Sequence, residues 1–99
     1  MAALLIIQAT VSRDSVEGQH YREYQTQVQP LIAAHGGRLR ATGGLLEVLE
    51  GSHDGRRLVV FEFPSMQALH DFWHSPQYAV LKTLRANAAL VVAWAVPAQ

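Results

Sequence analysis

The stretch RRLVVFEFPS at residues 56–65 has the pattern of a β-strand that runs into a protein interior. Between Leu58 and Phe63 every residue except Glu62 is apolar, and β-branched and aromatic side chains of this kind are enriched in strands. Pro64 ends the strand because its nitrogen carries no proton for the sheet ladder. Burying an unpaired carboxylate is costly, so Glu62 must be hydrogen-bonded, ion-paired or protonated. The stretch therefore predicts a buried strand whose carboxylate is either a catalytic group or a structural tether.

The segments on both sides of this strand complete a β-α-β-β-α-β order. Residues 3–11 are apolar and too short for a helix, so they predict the first strand. From about 16 to 35, apolar side chains recur at three- and four-residue steps, which indicates a helix that ends at Gly36 and Gly37. We predict the remaining elements as strand two at 38–50, a helix at 66–74 after Ser65, a helix from Pro76 after Ser75, and strand four at 89–96.

This order is typical of the ferredoxin-like plan in the α+β class, in which both helices lie on one face of an antiparallel sheet. Strands one and three then lie side by side in the middle, which places Glu62 in a central strand. With 99 residues the chain has room for one such domain, and we assign residues 1–99 to it.

Composition excludes several classes of function. Eight Lys and Arg balance eight Asp and Glu without a basic stripe, so we expect no binding to nucleic acid or to a membrane surface. Cysteine is absent, which excludes disulfides and thiolate chemistry. No apolar stretch reaches the roughly 20 residues of a membrane-spanning helix, and residues 1–7 lack the basic start of a signal peptide. We therefore expect a soluble, cytoplasmic protein.

Both faces of the predicted sheet are apolar. In strand one, Leu4 and Ile6 lie on one face and Leu5 and Ile7 on the other, and strands three and four repeat this pattern. A sheet with one solvated face should instead alternate apolar and polar residues. Because two helices cover only one face, we expect a second copy of the chain to cover the other, sheet against sheet, in a twofold homodimer.

Four segments occur in the order typical of one protein family. They are GGRLRATGG (36–44), EVLEG (47–51), RRLVVFEFPSM (56–66) and FWHSPQYAVLKTLR (72–85). Together they resemble the domain-of-unknown-function family numbered 1330, from about Leu4 to Val96. The positions that carry the family motif here are Gly36, Gly37, Gly43, Gly44, Glu50, Gly51, Arg57, Glu62, Phe63, Pro64, Ser75 and Tyr78.

The resemblance implies the dimeric α+β barrel superfamily, in which two protomers form one barrel. The superfamily includes small monooxygenases, muconolactone isomerase-like enzymes, dehydratases and ligand-sensing domains. Its usual site is a cleft between the helices and the sheet, often completed by the partner subunit. The family itself has no agreed reaction, so the resemblance leaves open whether this chain is an enzyme.

Glu62 is the best catalytic candidate, because a desolvated carboxyl can act as a general acid or base near neutral pH. The structural alternative is a tether to an arginine, a tyrosine or backbone N–H groups. Arg57 begins the same strand but points to the opposite face, since five positions separate it from Glu62. An ion pair at the hairpin or dimer edge suits Arg57 better than substrate recognition.

Tyr24, Trp73, Tyr78 and His35 complete the candidate pocket. The three aromatic residues lie at helical spacing, which favours core packing, and each also has a polar tip that can line a cleft. His35 closes the first helix, where an imidazolium would suit the negative end of the helix dipole.

The sequence does not support a metal or cofactor site. His70 and His74 have a spacing that can chelate zinc, but they lie at the flank of the apolar stripe, and no set of carboxylates accompanies them. The segment GGRLRATGG lacks the Lys-Ser/Thr pair of a phosphate loop. We expect neither a metal nor a cofactor.

Two hypotheses follow. In the first, the protein binds a small organic molecule, or acts on one without a cofactor, in an apolar cleft between helices and sheet near Glu62. In the second, it is a dimeric binding or structural module without chemistry, and Glu62 only holds its strand in place.

Overall fold

The computed structural model describes residues 1–11, 15–42, 46–86 and 89–98, which form an antiparallel sheet and the helices that pack on it. Its strands lie in the order β2-β3-β1-β4, so β1 and β3 are central. The elements are β1 Ala3–Val11, α1 Ser15–Ala34, β2 Arg38–Thr42, β3 Arg57–Phe63, α2 Met66–Trp73, α3 Pro76–Arg85 and β4 Ala89–Pro97. The ferredoxin-like α+β fold is confirmed, with the second helical region divided into α2 and α3. None of the helices in these ranges is long and apolar enough to cross a membrane.

β2 is shorter than the sequence predicted. Among the described residues its pairing with β3 reaches Thr42, opposite Val59, and residues 46–50 have no regular structure. The physical reason is that β3 begins at Arg57, so β2 runs out of ladder partners within two residues of Thr42. Gly43 and Gly44, which the sequence placed within this strand, lie outside the described residues.

The division between α2 and α3 follows from two serine caps. The Ser65 hydroxyl accepts a hydrogen bond from Ala68 N at 3.0 Å, and the Ser75 hydroxyl accepts one from Tyr78 N at 3.1 Å. Ser75 also donates to the carbonyl of Phe72 at 2.8 Å, so one buried side chain joins the end of α2 to the start of α3. Each cap satisfies a backbone N–H that a helix start leaves without a partner.

The core fills the space between the helices and one face of the sheet. Every second residue of β1 and β3 faces the helices, and Leu5 and Phe61, which lie opposite each other, are buried there. Phe72 lies at the centre, 5.6 Å from the ring of Phe63 and 4.6 Å from that of Tyr78. The buried core comprises Ala3, Leu5, Tyr24, Val28, Ile32, Phe61, Phe63, Leu69, Phe72, Tyr78 and Leu81.

The opposite surface of the sheet is here called the open face. The remaining residues of each strand point to it, and most of them are also apolar. Ile6 lies there between Val60 of β3 and Trp94 of β4. Trp94 remains 47% exposed and Leu90 74% exposed. The residues of the open face in the three longer strands are Leu4, Ile6, Gln8, Thr10, Leu58, Val60, Glu62, Leu90, Val92, Trp94 and Val96. The predicted apolar character of both faces is therefore present.

Two glycines fix the turn from α1 into β2. Gly36 has φ +80°, the left-handed conformation that glycine adopts most easily after a helix. Gly37 is needed for space instead, because a Cβ there would lie 2.5 Å from Ile32 Cγ2 and 2.8 Å from the Phe63 ring. The turn thus lets α1 approach β3 closely.

Gly37→Ala should lower the free energy of unfolding by about 1–3 kcal/mol, because both neighbours of the added methyl group are buried core side chains. Gly51→Ala is the control, since Gly51 has no atom within 4 Å of its Cβ position and the substitution costs only the strain of φ +80°, about 1 kcal/mol. Urea unfolding of both variants measures the difference. A loss at Gly37 no larger than that at Gly51 would contradict the close packing of α1 on β3.

Candidate functional site

A cleft of about 170 Å³ lies between α1 and the core-side face of the sheet. Its apolar walls come from alternate residues of β1 and β3 and from one side of α1. The lining residues are Leu5, Ile7, Tyr21, Tyr24, Gln25, Val28, Gln29, Ile32, Leu39, Thr42, Arg57, Val59, Phe61, Phe72, Tyr78 and Val91. A concave apolar site with a few polar groups is the usual form of a small-molecule site.

Arg57, Gln25, Gln29 and Thr42 are the non-aromatic polar residues of this lining. Arg57 pairs with Ala9 in the sheet register and so lies on the core side. Burial raises the pKa of Tyr21, and the charge of Arg57 partly opposes that rise. Among the side chains that the structure describes, the ion pairs are Arg40–Glu62 and Arg56–Asp54, so the expected ion pair of Arg57 is not seen among them.

Tyr24 and Tyr78 bring two phenol groups together where α1 meets α3. Their hydroxyl oxygens lie 2.8 Å apart, and both side chains are buried. Arg85 Nη2 donates to the Tyr78 hydroxyl at 3.4 Å. Burial, followed by the adjacent Tyr78, raises the pKa of Tyr24 far above its usual range, so this phenol stays protonated at neutral pH. The pair supplies hydrogen bonds rather than a base.

Glu62 is not near this cleft, and the sequence-based expectation that the cleft adjoins Glu62 is wrong. Glu62 pairs with Leu4 in the register, so it lies on the open face while Phe61 and Phe63 face the core. Its Oε1 lies 3.1 Å from Arg40 Nε, and its side chain is 26% exposed. The cause is the alternation of β3, which turns Glu62 away from the helices. Glu62 of β3 therefore has the geometry of the structural tether, because its carboxylate pairs with Arg40 of the neighbouring strand β2.

Trp73 and His35 also lie outside the cleft lining, whereas Tyr24, Tyr78 and Arg57 are part of it. The ring of Trp73 packs against that of Tyr78, with the two centroids 5.0 Å apart. Lys82 Nζ lies 4.8 Å from the centroid of the Trp73 ring. His35 bonds through Nδ1 to the carbonyl of Leu31 at 3.0 Å. Neither residue borders the cleft, and Trp73 instead lines a second pocket with Leu69 and Ala93.

The two histidines with zinc-like spacing, His70 and His74, are both exposed, and their rings lie 5.9 Å apart. Within the described ranges, no group of three or more His, Cys, Asp or Glu residues is close enough to hold a metal ion.

Sequence reasoning missed Arg85, Gln25 and Gln29 as residues near the cleft. The glutamines fall four apart on α1, one turn from Tyr21 and Tyr24, and that helical spacing is a signal that could have identified them. Arg85 had no comparable signal, because its place beside Tyr24 depends on how α3 packs against α1.

The family model described as "Domain of unknown function (DUF1330)" matches residues 2–99. No curated protein matches the chain significantly.

Solved structures show the same fold at low identity. A protein of unknown function from Rhodopseudomonas palustris superposes with a TM-score of 0.70 at 16% identity, covering 94% of this chain and 80% of that one. SnoaB, a cofactor-independent oxygenase from Streptomyces nogalater, gives 0.66 at 10% identity, with coverage of 99% and 93%. A dimeric protein of unknown function and ferredoxin-like fold from Bacteroides fragilis gives 0.57 at 13% identity, covering 94% of each chain.

Glu62→Gln should leave the binding of any small molecule in the cleft unchanged and lower the free energy of unfolding by less than about 1 kcal/mol, because the pair with Arg40 is partly exposed. A double-mutant cycle with Arg40→Gln, followed by chemical unfolding, measures the coupling. Loss of cleft binding in a folded Glu62→Gln protein would contradict this placement of the carboxylate.

Proposed function

Because the chain belongs to the DUF1330 family, whose description names no reaction, we propose from its geometry that it binds a small organic molecule in the cleft beside α1. The observation that carries the proposal is the composition of this cleft. Leu5, Val28 and Val59 offer apolar contact, while Arg57 and the tyrosines offer polar groups at defined positions. An apolar molecule with a polar substituent fits such a lining.

The proposal includes no resident cofactor. Hydrogen-bond donors and an arginine surround the cleft, and they can orient a ligand without one. SnoaB, described as a cofactor-independent oxygenase, has the same fold. This likeness supports the idea that a protein of this fold can act on a small molecule without a cofactor. We assign no reaction to this chain. The cytoplasmic location stays a prediction.

The open face supports a second part of the proposal, that the protein works as a homodimer. Val92, Trp94 and Val96 of β4 are exposed there next to the apolar residues of β1. A second copy can cover this face with the same residues by twofold symmetry. The Bacteroides fragilis protein of the same fold is described as dimeric. In this assembly the Glu62–Arg40 pair holds β2 against β3 at the border of the interface.

The size of the open face is sufficient for such an interface. With strands about 4.8 Å apart and a rise of about 3.4 Å per residue, the face covers on the order of 500 Å². Two such faces together bury on the order of 1,000 Å², the area at which specific interfaces begin.

Filling the cleft should abolish ligand binding. Gln29 is exposed at its rim, so Gln29→Trp can place an indole in the cleft without disturbing the core. Gln27→Trp is the matched control, because Gln27 is exposed on the same helix but does not line the cleft. The bicyclic hydrocarbon tetralin serves as probe, and methyl NMR follows Leu5, Val28 and Val59. We expect tetralin to shift these methyl signals in the wild type and in Gln27→Trp, with at least a tenfold loss of affinity in Gln29→Trp.

Two results would contradict binding at this site. One is tetralin shifts confined to open-face methyl groups such as those of Ile6 and Val92. The other is equal tetralin affinity in the two tryptophan variants.

Val92→Arg should convert the dimer to monomers, because a charge buried in the apolar interface costs several kcal/mol. The dissociation constant of the dimer should rise by on the order of 100-fold or more. Val80→Arg is the control, since Val80 is 67% exposed on α3, away from the open face. Light scattering at micromolar concentration measures the mass. A monomeric wild type, or a Val92→Arg protein that stays dimeric, would disprove the proposed interface.

A further inference from the structure

The phenol pair beside the cleft contains one more proton than its own hydrogen bonds use. A guanidinium group can only donate, so the oxygen of Tyr78 accepts from Arg85 Nη2. The bond between the two phenols, at 2.8 Å, uses one of the two hydroxyl protons. Whichever tyrosine donates in that bond, the hydroxyl proton of the other has no acceptor among the side chains that the structure describes, which on α1 begin at Gln19.

The free proton belongs to a residue that borders the cleft, because Tyr24 and Tyr78 are both among its lining residues. Tyr24 is the more accessible of the two, at 8% exposure against 1% for Tyr78. Either phenol can donate in the bond between them, and where Tyr78 donates to Tyr24 the free proton is that of Tyr24. Hydrogen bonds in a chain of this kind strengthen one another.

Arg85 adds a positive charge directly behind the pair. Its guanidinium carbon lies 5.5 Å from the ring centroid of Tyr24 and 6.0 Å from that of Tyr78. A cation at this distance stabilises negative charge on an oxygen that accepts from the phenols, and it disfavours a second cation there. The arrangement therefore suits an oxygen acceptor and disfavours an amine.

We propose that Tyr24 and Tyr78, with Arg85 behind them, form the oxygen-binding end of the cleft, and that the ligand is an apolar compound with a carbonyl oxygen. The phenol donates a hydrogen bond to that oxygen, while the apolar part of the ligand contacts the walls at Leu5 and Val59. This proposal rests on the proposed function, because it needs a ligand in the same cleft.

The test compares two probes with the same ring body. 1-Tetralone carries a carbonyl group, and tetralin lacks it. The ¹³C signal of the tetralone carbonyl should lie further downfield in the complex with the wild type than in the complex with Tyr24→Phe/Tyr78→Phe, since hydrogen-bond donation polarises the carbonyl. The ratio of tetralone affinity to tetralin affinity should fall about three- to tenfold in the double variant Tyr24→Phe/Tyr78→Phe. The two probes differ in how strongly water solvates them, but this difference is the same for every protein variant and cancels when the ratios are compared.

Single variants give a distinctive result. In Tyr24→Phe the proton of Tyr78 becomes free, and in Tyr78→Phe that of Tyr24 remains free. Each single variant should therefore keep part of the downfield shift, and only the double variant should lose it. A purely structural phenol pair would change protein stability in all three variants without changing the affinity ratio.

A measurement on the wild type makes the test independent of how well these variants fold. With ¹³Cζ-labelled tyrosine, tetralone should shift the Tyr24 signal by more than tetralin does. Equal effects of the two probes, or a carbonyl shift that survives in the double variant, would overturn the assignment of the phenols while the proposed binding in the cleft stands. If neither probe binds in the cleft, the proposed function fails as well.

Discussion

The structure depends on one constraint, which is that a single sheet has apolar side chains on both faces but has helices on only one. The helices bury the alternation that contains Leu5, Phe61 and Phe63. The other alternation, with Ile6, Val60 and Trp94 in one row, stays on the open face. The proposed homodimer follows from this constraint, because burial of apolar area is the main favourable term in folding and association. The cleft lies on the side of the sheet opposite the open face.

The same alternation separates the two charged residues of β3. Glu62 and Arg57 are five positions apart, so Glu62 lies on the open face and Arg57 lines the cleft. This separation gives them different partners. Glu62 pairs with Arg40 on the neighbouring strand, whereas Arg57 borders the cleft near Tyr21. A carboxylate that first looks like a catalytic group is thus placed to join strands, and the polar chemistry of the cleft belongs to tyrosines and arginines.

Local sequence signals predicted the element order, the serine caps at Ser65 and Ser75, and the glycine after α1, because each depends on residues within one turn. The position of the cleft relative to Glu62 could not be predicted in this way. Since both faces of the sheet are apolar, no pattern in β3 tells which one the helices cover. The bond between Tyr24 and Tyr78 joins residues 54 positions apart and arises only when α1 packs on α3. The end of β2 likewise depends on where its partner strand begins.

The accessibility of the open face in solution shows directly whether a second copy covers it. A soluble nitroxide such as TEMPOL broadens the NMR signals of exposed methyl groups and leaves buried ones sharp. If a second copy covers the open face, the methyl signals of Val92 and Val96 should stay sharp, while that of Val80 on α3 is broadened. Broadening of Val92 and Val96 to the extent seen at Val80 would show an uncovered face and contradict the account.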